Sequence, residues 1–199
     1  MILIYLGLGA LSFLCGLAFD LATLAGRQRA RIALALVAAA LMLWAIGGAA
    51  STPPRLARPA AAAIFGGALT LGALALLASS LWIELRPPRP PTHANNSAPP
   101  AATDDATLVT TGTYALCRHP GVLWFGPFLL GLALLSGSLT LLWATPLWWG
   151  LDFAYAWLQD RYLFPRQFPG YTRYQRTTPM FLPTRASLRR CLDTLSWRR

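Results

Sequence analysis

The chain has no lysine, a single glutamate and two histidines in 199 residues. Charged residues are 12% of the total, where a soluble domain carries about a quarter, and this scarcity excludes an ordinary soluble globular protein. Cysteine is also sparse. Cys15, Cys117 and Cys191 share no spacing that suggests a disulfide framework or a thiolate metal centre. Cys15 reads as a small core residue, and Cys117 either as one packed at a helix start or as a thiol activated by Arg118 and His119.

What remains is 55% hydrophobic, with a mean hydropathy of +0.46. The net charge of +10 rests on 17 basic residues, all arginine. They lie in short loops and a tail beside apolar runs. That is the pattern of topology signals and of contact with anionic lipid, so nucleic acid is not an expected partner.

Residues 2–25, 32–51 and 60–83 are apolar and long enough to cross ~30 Å of hydrocarbon at ~1.5 Å per residue. No basic residue precedes the first run, so it reads as a retained span, not a secretory signal. Asp20, near its end, either snorkels outward or faces the bundle, with Arg27 or Arg29 as partner. Gly66, Gly67 and Gly72 allow close helix packing in the third span. Residues 86–110 are rich in proline and polar groups and predict an extramembrane loop in which His93 is solvated. Glu84, just before that loop, lies at a depth from which it could reach Arg118 and His119.

Two further apolar runs, 122–135 and 139–158, are joined by Ser136-Gly137-Ser138 and predict a hairpin. The first is short for a full crossing unless it recruits residues from His119 onward, and Pro146 bends the second. Asp152 lies within that helix and faces inward if the helix is buried. The expected class is therefore an all-α, polytopic helical membrane protein with about five transmembrane helices and a short C-terminal tail. Its parts are a three-helix scaffold (1–85), the loop (86–110), the hairpin and tail (111–183) and a basic end (184–199). With five spans, fifteen arginines fall on one side and only Arg55 and Arg58 on the other. The expected location is a bacterial inner (plasma) membrane, with the N-terminus outside and the tail cytoplasmic.

Arg118-His119-Pro120 sits at the mouth of the hairpin, where a permanent cation and an imidazole suit a charged small molecule better than lipid. Gly112 and Tyr114 precede it. Gln159 and Asp160 close the hairpin, and Tyr171, Tyr174, Pro179, Phe181 and Pro183 follow in order. Over residues 112–183 this order resembles the isoprenylcysteine carboxyl methyltransferase and phospholipid methyltransferase superfamily of membrane enzymes. Two positions depart from the superfamily pattern: Val122 replaces a tyrosine, and Gln159-Asp160 replaces a pair of glutamates.

The resemblance implies S-adenosyl-L-methionine as cofactor and a lipid or lipophilic small molecule as methyl acceptor. It places Tyr114, Arg118, His119, Pro120, Gln159 and Asp160 around the cofactor, with Arg118 and His119 at its polar end and Asp160 on its amino group. Arg118 and His119 are also the expected catalytic residues. Trp124, Phe125, Trp148, Trp149 and Tyr155 are candidates to pack on adenine or on the sulfonium. No metal site is expected, and no obligate protein partner is inferable from the sequence. Two rival readings are a membrane reductase using a nicotinamide cofactor and a non-catalytic member of the same fold.

Overall fold

The computed structural model describes residues 2–85 and 108–196, with side chains for 2–81 and 108–194. Most of the 86–110 loop, with His93, lies outside them, as does any contact made by the side chain of Glu84.

Three long helices come first: α1 (Ile2–Leu24), α2 (Gln28–Ser51) and α3 (Ala60–Leu85). The short α4 (Thr113–Leu116) leads into the hairpin of α5 (Pro120–Ser136) and α6 (Leu139–Leu158). A π-helical segment, Gln159–Leu163, carries the chain out of α6 into α7 (Phe164–Gln167), α8 (Tyr171–Thr177) and α9 (Arg185–Ser196). Among the described residues there is no β-strand, only an isolated bridge between Arg55 and Ser138. The all-α membrane architecture is as expected.

Helices α1, α2 and α3 are long and apolar enough to cross a membrane, and α5 is apolar but shorter, at 17 residues. Helix α5 does begin at Pro120, recruiting residues beyond the apolar run, because proline at a helix start needs no amide donor and has its φ already set. Helix α2 begins four residues earlier than expected, so Arg29 and Arg31 lie in its first turns. Ile64, Leu36 and Leu71 are about 70% exposed (73%, 67% and 70%) on the long helices, as side chains facing lipid would be.

Helix α3 packs along α5, α1 along α2, and α5 along α6. The α3–α5 contact is backbone on backbone. A Cβ on Gly66 would meet Leu135 N at 2.7 Å, and one on Gly131 would meet Thr70 N at 2.7 Å and Gly66 O at 2.9 Å. Gly66 thus fulfils its expected role, whereas nothing lies within 4 Å of Gly72. The core gathers around Leu129, Leu141, Ala144 and Trp148.

Two ends of the bundle are closed differently. At one end the α2–α3 loop meets the hairpin turn: Leu56 N donates to Gly137 O (2.8 Å), and Ser138 Oγ donates to Ala49 O (2.6 Å). Ser138 also caps α6 by accepting from Leu141 N. At the other end the tail folds back, with Gln167 Nε2 donating to Asp20 O on α1. That end carries the site.

Candidate functional site

The site is assembled where α4 gives way to α5. Cys117 is extended and His119 caps α5, so Arg118 projects from a short non-helical link. The tail is bonded to this link along its backbone. Arg118 N donates to Pro179 O (2.9 Å) and His119 N to Met180 O (3.2 Å). Those acceptors lie in the proline-bounded closing segment, which is outside any helix, so its carbonyls are free to accept.

The Arg118 side chain is bound on every edge. Its Nε donates to Asp160 Oδ1 (2.7 Å) and its Nη2 to Asp160 Oδ2 (3.0 Å), while Nη1 donates to the carbonyls of Gln175 and Thr178. Asp160 also accepts from Tyr171 Oη (2.7 Å) at Oδ1 and from Gln175 Nε2 (3.1 Å) at Oδ2. Both lone pairs of each carboxylate oxygen are therefore taken. Burial alone would raise the Asp160 pKa, but His119, Arg118 and Tyr171 outweigh it and hold the carboxyl well below the usual carboxylate range. Burial likewise disfavours the Arg118 cation, and the bond and charge of Asp160 more than offset this, raising its pKa. The pair stays ionised. Burial and the Asp160 contact push the Tyr171 phenol up, so it serves as a neutral donor.

His119 is buried and stacked on Phe164, with ring centroids 5.6 Å apart. Its Nε2 lies 3.4 Å from Asp160 Oδ1 without hydrogen-bond alignment, and it is one of the buried polar atoms with no hydrogen-bond partner. Tyr114 bridges two elements: its hydroxyl donates to Ser80 O on α3 (3.4 Å), and its carbonyl accepts from Tyr174 Oη. Pro120 is buried at the α5 start.

A cavity of about 320 Å³ opens beside this cluster. Tyr114, Arg118, His119, Pro120 and Gln159 line it, together with Asp152 and the aromatic faces of Phe13, Phe125, Tyr155 and Phe164. On the tail side of Arg118 lies a smaller cavity of about 170 Å³, walled by Phe164, Phe168, Tyr171 and Tyr174.

The structure thus brings together all six expected site residues but changes several roles. Arg118 and Asp160, expected to meet and hold the carboxylate and the amino group of a zwitterionic cofactor, do meet, and here they are bonded directly to each other. Gln159 and Asp160 do not act as a pair, because they point to different partners from successive positions of the π-helical segment. Gln159 Nε2 donates to Asp20 Oδ2 (2.9 Å), which also accepts from Tyr155 Oη (2.6 Å). Asp20 faces the bundle, and its partners are these two residues, not Arg27 or Arg29. Trp148 is wholly buried and donates to Leu6 O (3.2 Å), and Trp149 donates to Val122 O (2.8 Å), so both indoles are structural. Burial raises the Cys117 thiol to about 12, against the opposing pull of a backbone hydrogen bond and of Arg118, so it is inert and not activated. Sequence reasoning missed Gln175, whose side chain and carbonyl both serve the cluster; its place one residue after Tyr174 was the available signal.

Among the described residues, no three of His, Cys, Asp and Glu converge as metal ligands. No family model matches the chain, and no solved structure does. It is 37% identical over 87 residues to the nickel-cobalt-cadmium resistance protein NccN of Alcaligenes xylosoxydans xylosoxydans, covering 44% of this chain and 40% of that protein. It is 40% identical over 78 residues to the cobalt-zinc-cadmium resistance protein CzcN of Cupriavidus metallidurans, covering 39% of this chain and 36% of that one. Each match spans well under half of the relative. These relatives are named for metal resistance, so the expected function, an S-adenosylmethionine-dependent methyl transfer to a lipophilic acceptor, is corrected.

Proposed function

We propose that the chain acts in resistance to divalent transition-metal cations, working from within a membrane. The observation that supports it most is identity of 37% and 40% to two proteins named for resistance to nickel, cobalt, cadmium and zinc. The apolar helices supply the membrane setting. Kinship with the membrane methyltransferase superfamily over residues 112–183 is proposed as likeness of fold, not of activity.

Within this role the 320 Å³ cavity is proposed to receive a lipophilic small molecule with a polar end, because its walls are mainly aromatic and aliphatic and Arg118, His119, Asp152 and Gln159 also line it. The Arg118–Asp160 pair is proposed to hold the tail closed over it. The side facing the tail is proposed to be cytoplasmic, as the arginine distribution favours.

The test is growth. A metal-sensitive bacterial strain expressing the chain is compared with one carrying empty vector across graded nickel, cobalt, cadmium and zinc. A higher tolerated concentration of at least one of these metals supports the role. Identical dose–response curves for all four overturn it.

A further inference from the structure

A cleft of about 540 Å³ lies among α4, α8 and α9 and shares no lining residue with the bundle cavity. Neither the expected site nor the proposed function makes use of it. Two guanidiniums line it, Arg173 from α8 and Arg190 from α9, against one carboxylate, Asp193. Arg190 Nη2 donates to Thr177 O at the C-terminal end of α8, the helix that carries Arg173, so the two arginines face the cleft from neighbouring walls. Thr110 and Thr111 add polar lining on the α4 side.

We propose that this cleft binds a phosphate group between Arg173 and Arg190. Two guanidiniums outweigh the single carboxylate, which favours an anion, and phosphate oxygens accept the paired donors that each fork presents. The source of the phosphate is either a free phosphorylated solute or an anionic lipid headgroup. The cleft shares a wall with the Arg118 cluster. Thr178, whose carbonyl accepts from Arg118, lines it, as does Tyr174, which bonds to the Tyr114 carbonyl. Thr194 anchors the third wall by accepting from Gly112 N (2.9 Å). Occupancy of the cleft therefore stiffens the same tail segments that close on Arg118.

The experiment is thermal unfolding of the full chain in two settings. In neutral maltoside micelles, inorganic phosphate is titrated at constant ionic strength. In nanodiscs, phosphatidylcholine alone is compared with phosphatidylcholine containing phosphatidylglycerol. The variants are Arg173→Gln and Arg190→Gln, and the control is Arg161→Gln, an exposed arginine outside the cleft. The expected result is a saturable rise of a few degrees (roughly the shift given by ~1–2 kcal/mol of linkage) that Arg173→Gln and Arg190→Gln lose and Arg161→Gln keeps. If inorganic phosphate produces it, the ligand is a free solute; if only phosphatidylglycerol does, it is a headgroup. Either supports the site. No rise in either setting, or one that persists in Arg173→Gln, overturns it. Because Arg173→Gln leaves the Arg190–Thr177 bond in place, it tests the cleft even if Arg190→Gln fails to fold.

Discussion

The guanidinium of Arg118 and the carboxylate of Asp160 meet in a two-pronged pair, at 2.7 and 3.0 Å, across 42 residues of sequence. One member stands at the entrance to the hairpin and the other at its exit. Each also holds the tail: Arg118 donates to the Gln175 and Thr178 carbonyls, and Asp160 accepts from Tyr171 and Gln175.

Breaking the pair from one side strands a buried charge. Arg118→Ala and Asp160→Ala are each expected to cost on the order of 3–5 kcal/mol, with the double substitution costing less than their sum. Arg118→Lys removes the planar fork and should lie between Arg118→Ala and the wild type. Chemical unfolding in detergent measures all of these. Additive losses would show that the two groups do not act as a unit.

Acid should release the tail. The folded pKa of Asp160 lies below its unfolded value of about 3.9, so its contribution is full above that value and lost as pH falls through the folded value. The stability of the wild type should therefore fall more steeply below about pH 4 than that of Asp160→Asn. Parallel curves for the two proteins would contradict the assignment.

The Cys117 thiol, raised to about 12 by burial, should resist alkylation at pH 8 until the protein unfolds. Mass spectrometry after brief iodoacetamide treatment reads this directly, with denatured protein as reference. Rapid native labelling at Cys117 would show that the α4–α5 link opens.

Helix packing gives a contrast between two glycines. Gly131→Ala drives a Cβ into the backbone of α3 and should cost about 1–3 kcal/mol, whereas Gly72→Ala meets nothing and should be neutral or slightly stabilising. Melting temperatures in detergent distinguish them. Equal effects would place the α3–α5 contact elsewhere.

Much of this fold was legible in the sequence because lipid imposes one simple rule: long apolar runs, charges at their ends. The spans and the hairpin turn at Ser136-Gly137-Ser138 followed from order and spacing, and the approach of Arg118 to Asp160 from the family resemblance. The partners of Asp20 did not. Arg27 and Arg29 are near it in sequence, but Tyr155 and Gln159 reach it from α6 and the segment after it, and sequence proximity carries no record of that packing. The filled state of Arg118 was hidden for a different reason. Two of its acceptors are main-chain carbonyls of Gln175 and Thr178, and a carbonyl leaves no side-chain signature. Gly131, the counterpart of Gly66, was likewise one glycine among many until the helices were seen to touch there.

The most direct test of the proposed role is metal tolerance in cells that make Arg118→Ala or the wild type at equal membrane abundance. The wild type is expected to raise the tolerated concentration of nickel, cobalt, cadmium or zinc above the vector level, and Arg118→Ala to return it there. Full protection by Arg118→Ala would contradict a role for the Arg118–Asp160 closure, and no protection by either protein would contradict metal resistance itself.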